Sequence, residues 1–67
     1  MKLTQVESEC KSGTCPTLYA TDRDSYVLQG YVITDPEALA ALSLPSGESA
    51  VEIPASLMER FAHAVAR

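Results

Sequence analysis

A chain of 67 residues makes one domain, and a domain of that size buries only about 60% of the surface its unfolded chain exposes. An apolar fraction of 46% and a charged fraction of 21% exclude a disordered polymer. Nine acidic side chains against five basic ones, a net charge of -4, argue against nucleic-acid binding, which rests on Lys and Arg neutralising phosphates.

Lys2, Lys11, Arg23, Arg60 and Arg67 form neither a run nor a helical stripe. The acidic balance also disfavours anionic membranes and makes a basic protein the natural complement. The chain turns polar immediately after Met1, without the apolar region of a signal peptide. No window approaches the roughly 18 apolar residues of a membrane span. The expectation is a soluble cytoplasmic protein. A core this small supplies only about 3–5 kcal/mol, so help from a disulfide, a metal, a second copy or a partner is expected.

Residues 1–13 are dominated by polar side chains and read as a loosely ordered arm, with at most a short strand around Leu3 to Val6. The folded domain is expected over residues 14–67. Thr17–Thr21 and Tyr26–Thr34 are rich in strand formers and are joined by the turn-compatible Asp22-Arg23-Asp24-Ser25, which predicts a β-hairpin. The second strand carries Leu28 and Val32 on one face and Val27, Tyr31 and Ile33 on the other. It is therefore expected to be central, or covered by a helix on one side and a partner on the other. Gly30 in its middle predicts a bulge or a close backbone approach.

Asp35, Pro36 and Glu37 carry three agreeing helix-start signals: a cap, a first-position proline and an acid facing the positive end of the dipole. The helix runs from Pro36 to Leu42, and Pro45 with Ser46-Gly47-Glu48 stops it and turns the chain. Ser49–Ile53 reads as a third strand closed by Pro54. Leu57, Met58, Phe61, Ala62 and Val65 recur at helical spacing, predicting a second helix over residues 55–67, with Arg67 complementing its negative end. The order is β-β-α-β-α, a small α+β fold.

No cluster amounts to an active site, no cofactor motif is present, and the chain reads as non-enzymatic. Cys10 and Cys15 flank Lys11-Ser12-Gly13-Thr14 and admit three readings. They are reduced thiols, as a cytoplasmic setting favours; or a disulfide, since Gly13 permits a tight loop; or part of a metal site with His63 or with thiolates of another chain. Structural zinc requires four N or S ligands, of which one chain offers three. His63, the only histidine, follows Glu59 by four residues, and an exposed pair between them is the expectation. Asp22-x-Asp24 lacks the remaining ligand positions of a calcium loop and reads as a solvated turn.

Tyr19, Tyr26 and Tyr31 lie in or beside strands, as core-edge packing or as interface anchors. With three credible strands and two helices, some apolar surface is left for association. The interface expected comprises Tyr19, Val27, Gln29, Tyr31 and Ile33 on the sheet with Met58, Phe61 and Val65 on the second helix.

Two resemblances follow. Asp35-Pro36-Glu37-Ala38-Leu39-Ala40-Ala41-Leu42-Ser43-Leu44-Pro45-Ser46-Gly47-Glu48 followed by Val51-Glu52-Ile53 resembles the AbrB/MazE swapped-hairpin pattern over about a quarter of the chain. That family's basic residues near the helix start are replaced here by Asp35 and Glu37. The layout Cys15-Pro16-Thr17-Leu18-Tyr19-Ala20-Thr21-Asp22-Arg23, Val27-x-Gln29-Gly30, Thr34-Asp35-Pro36-Glu37-Ala38-Leu39 and Val51-Glu52-Ile53-Pro54 resembles small actinobacterial proteins of the BldB-like group, encoded beside helix-turn-helix regulators. This second resemblance implies a cytoplasmic accessory protein that binds a transcriptional regulator or dimerises. The first implies a dimeric DNA-binding regulator or antitoxin, with Arg23, Lys11 and Lys2 gathered on one face. A metal-stabilised domain using Cys10 and Cys15 is the remaining alternative.

Overall fold

A computed structural model of the chain describes residues 1–10 and 15–66. The elements are β1 (Leu3–Ser8), β2 (Thr17–Thr21), β3 (Tyr26–Gln29), β4 (Tyr31–Val32), α1 (Pro36–Ala41), β5 (Val51–Glu52) and α2 (Ala55–Ala66). This is the small α+β class. Strands β1, β2 and β3 form an antiparallel sheet in that order, and β4 pairs with β5 in a separate antiparallel ribbon.

Three expectations change. The N-terminal segment is not a loose arm from Met1 onward: Leu3–Ser8 is a six-residue strand pairing with β2 from Leu3↔Thr21 to Ser8↔Thr17. Its pairing slips between Gln5 and Glu7, so Val6 is the extra residue of a bulge and packs against the core. That strand takes the second side of β2, so β2 is central and Tyr26–Gln29 lies at the sheet edge; of the two expectations for it, the central position is the one overturned. The run Tyr26–Thr34 is also not one strand. It breaks at Gly30, where a Cβ would lie 2.9 Å from Val51 Cγ2 and 3.0 Å from the Glu52 carbonyl oxygen. The close approach expected of this glycine is present, with β5 as the neighbour.

The turns follow local chemistry. Between β2 and β3 the Thr21 amide donates to the Ser25 carbonyl, and the Thr21 hydroxyl accepts from the Arg23 amide. Asp24 takes a positive φ of 59°, which Asp tolerates better than most residues. At Pro45–Glu48 the Glu48 amide donates to the Pro45 carbonyl, and Gly47 at φ 94° supplies the third position of a type II turn.

Helix α1 begins as predicted: the Asp35 carboxylate accepts from the Ala38 amide at 2.8 Å, and Pro36 follows at the first position. No residue of α1 is buried. Helix α2 starts when the Pro54 carbonyl accepts from the Leu57 and Met58 amides. Leu57 and Phe61, four apart and 1% and 3% exposed, drop onto Leu18 to form the core, with Val6 and Ile53 at its margin.

Candidate interaction surface

The sheet face under α2 is set by register. Leu18 opposes Leu28 and Ala20 opposes Tyr26, and directly opposed residues share a face. A helix about 10 Å across covers about two strands spaced about 4.8 Å apart. The placement of α2 is marked by Arg60, whose Nη2 donates to Glu7 Oε1 at 3.2 Å and to the Ser8 carbonyl at 3.0 Å. Both acceptors belong to β1. The helix therefore sits towards β1, and the inner face of β3 at the other edge lies uncovered.

The result is an apolar groove of about 290 Å³ between β3 and α2. Leu18 and Phe61 floor it; Tyr26, Leu28, Met58, Ala62 and Val65 form its walls, with no ionisable side chain except the Tyr26 phenol. Its walls are wet: Tyr26 is 58%, Leu28 37%, Met58 56% and Val65 43% exposed. A second hollow of about 610 Å³ lies between the β4–β5 ribbon, the start of α1 and Met58, and it is partly polar, with Thr34, Asp35 and Glu52 in its lining.

The structure divides the interface read from sequence. Met58 and Val65 stand exposed on the groove wall, whereas Phe61 is core. Tyr19 and Val27 oppose each other on the other sheet face, half-buried, and the Tyr19 hydroxyl donates to Gln29 Oε1 at 3.4 Å. Tyr31 is exposed on β4, and Ile33 lines the second hollow. Of the groove residues, the interface read from sequence left Leu28 and Ala62 unnamed and carried Tyr26 only among three tyrosines read as core-edge packing or as interface anchors. Tyr26 and Leu28 share the even-numbered face of the strand with Leu18's partner position. Only the knowledge that α2 lands on that face, off-centre, singles them out.

Cys10 and Cys15 are joined as a disulfide, the second of the three sequence readings, so the reduced-thiol reading and the thiolate metal reading do not describe this structure. The bond continues the β1–β2 register: Ser8 opposes Thr17, the Glu9 amide donates to the Pro16 carbonyl at 3.2 Å, and the two cysteines come next with Cα atoms 5.8 Å apart. Residues 11–14 between them lie outside the described residues, and so does Lys11. Beside the disulfide, Thr17 is fully buried and its hydroxyl donates to the Cys15 carbonyl at 2.7 Å. A hydroxyl has one proton, so the Ser8 hydroxyl is the donor in its 2.9 Å bond to Thr17. Both buried hydroxyls are thereby satisfied.

His63 and Glu59 are exposed and do not pair; among the described residues the ion pair is Arg60–Glu7. No group of three or more His, Cys, Asp or Glu among the described residues is placed to hold a metal ion. Lys2 and Arg23 flank the same end of the sheet, next to the Leu3↔Thr21 pair, and Arg60 is committed to β1. Arg67 lies outside the described residues. No described helix is long and apolar enough to cross a membrane. No protein-family model, curated protein or solved structure matches this chain.

Proposed function

We propose that this chain is a non-enzymatic interaction protein that works by presenting the β3–α2 groove to another protein surface. The observation that carries this reading is the groove itself. Among the described residues Leu18, Leu57 and Phe61 make the buried core cluster, while Tyr26, Leu28, Met58 and Val65 stand together in water. Contiguous apolar surface of this kind marks association sites. Beside it runs β3, an edge strand without charge or proline, the residues that blunt edges against pairing.

The resemblance to proteins encoded beside helix-turn-helix regulators makes a transcriptional regulator the first partner to test, and the net charge of -4 suits a basic one. A cytoplasmic setting belongs to the same proposal and has a consequence: cellular thiols there keep most cysteines reduced. The β1–β2 hairpin would then be held by its ladder and the Ser8–Thr17 hydroxyl pair.

The test is photo-crosslinking in the host, with a benzophenone amino acid placed at position 26, 65 or 3. Positions 26 and 65 are expected to give discrete protein adducts, and position 3, on the outer strand β1, none. Absence of adducts from both groove positions would reject the reading.

A further inference from the structure

We infer that the groove takes an extended segment of a partner protein, which adds a fourth strand to the β1-β2-β3 sheet along β3. The inference rests on the interaction reading and deepens it, because it states the shape and chemistry of what binds.

Hydrogen-bond parity carries it. The Thr21 amide donates to the Ser25 carbonyl, so these two residues form a hydrogen-bonded pair at the turn end of the β2–β3 ladder. Such pairs alternate with non-hydrogen-bonded ones along an antiparallel ladder. Tyr19–Val27 and Thr17–Gln29 are then the bonded pairs, while Tyr26 and Leu28 are the unbonded partners of Ala20 and Leu18. The amide and carbonyl of Tyr26 and Leu28 therefore point away from β2, out along the sheet edge. Among the described residues nothing partners them. The same two residues place their side chains in the groove wall. Free backbone groups and wet apolar side chains on one pair of residues fit one kind of ligand, a strand.

The opposite edge of the sheet is closed. The Glu9 amide bonds the Pro16 carbonyl, so by the same parity the main chain of Ser8 faces outward from β1. Its amide donates to Glu7 Oε1 at 3.0 Å, and its carbonyl accepts from Arg60 Nη2 at 3.0 Å. The bulge at Val6 and the charge of Glu7 blunt that edge further. Strand β3 has neither device, and its register with β2 is unbroken from Thr17↔Gln29 to Ala20↔Tyr26.

A segment added antiparallel lies about 4.8 Å beyond β3 and exchanges hydrogen bonds with Tyr26 and Leu28. Two of its residues, spaced i and i+2, stand opposite them on the groove face, on the side of Met58 and Val65. The groove lining makes both of these residues apolar. The residue between them faces the other side of the sheet, with Tyr19 and Val27.

The experiment pans a phage-displayed library of random heptapeptides against the full, oxidised chain. Enriched peptides are then titrated into the chain while amide exchange is followed. They are expected to carry apolar residues two apart, and to slow exchange of the Tyr26 and Leu28 amides about tenfold while leaving β1 unchanged. A synthetic chain with the Leu28 amide nitrogen methylated keeps the side chain and loses the outward donor. It is expected to bind the same peptides about tenfold more weakly, with circular dichroism confirming its fold. Peptides that bind without slowing those two amides overturn the inference, whether or not the methylated chain folds. A library that yields no binder also overturns it. Slowing that grows with concentration of the chain alone overturns it in favour of a second copy on the same edge. Crosslinking from positions 26 and 65 tests the groove reading separately, so that reading survives a failure of strand addition.

Discussion

At Gly30 the sheet strand β3 hands over to the ribbon strand β4, and the backbone of β5 passes so near that no side chain fits. A methyl group there would press on a carbonyl oxygen as well as on Val51 and Ile53 side chains, and a carbonyl in a ladder cannot rotate away. Gly30→Ala is expected to lower stability by about 1–3 kcal/mol, read from urea unfolding. Asp24 poses the opposite case, because its constraint is conformational and its surroundings are open. Asp24→Gly should leave stability level or raise it slightly, whereas Asp24→Val should cost about 1–2 kcal/mol at its positive φ. Thr17→Val removes the middle of a buried hydroxyl relay and strands the Cys15 carbonyl and Ser8 hydroxyl, at a cost of about 1–3 kcal/mol in the same assay. The role of Gly30 was legible because a glycine inside a strand pattern has few other reasons to be there. The positive φ of Asp24 was not, since Asp22, Arg23 and Asp24 all suit a turn. Nor was the burial of Thr17, which depends on β1 running on to Ser8.

The elements with strong local signals were legible in the sequence, and those made by long-range pairing were not. Asp35 and Pro36 start α1 through bonds within four residues, and Leu57 and Phe61 declare α2 by spacing alone. The polar composition of Thr4, Gln5 and Glu7 left β1 as at most a short strand around Leu3 to Val6; it runs on to Ser8 because β2 offers it an edge and the Cys10–Cys15 disulfide ties the far end of the pair. Replacing both cysteines with serine should cost about 2 kcal/mol, the loop-closure value for a ring of this size, with the β1 amides exchanging fastest. Arg60 marks the offset of α2 at the same scale. Its pair with Glu7 is half exposed and contributes about 0–1 kcal/mol, so the burial of Leu57 and Phe61 sets where the helix lies and the pair follows from it. No pattern of apolar spacing encodes that offset, which is why Leu28 went unnamed and Tyr26 stood between core edge and interface, while Met58 and Val65 were named for the interface.

For the whole molecule, composition pointed in the right direction: a chain of this length with 46% apolar residues has more apolar surface than one small core can hide. The structure exposes that surplus chiefly in two sets of residues: Tyr26, Leu28, Met58 and Val65 at the groove, and Tyr31, Val32, Leu39, Leu44 and Val51 along β4, α1, β5 and the segment between the last two. Salt reports on the partner's charge: a complex between this chain, of net charge -4, and a basic protein should weaken several-fold between low and physiological ionic strength. The most direct single measurement is photo-crosslinking in the host from positions 26, 65 and 3. Discrete protein adducts from 26 and 65 with none from 3 are the predicted result, and absence of adducts from both groove positions would contradict the account.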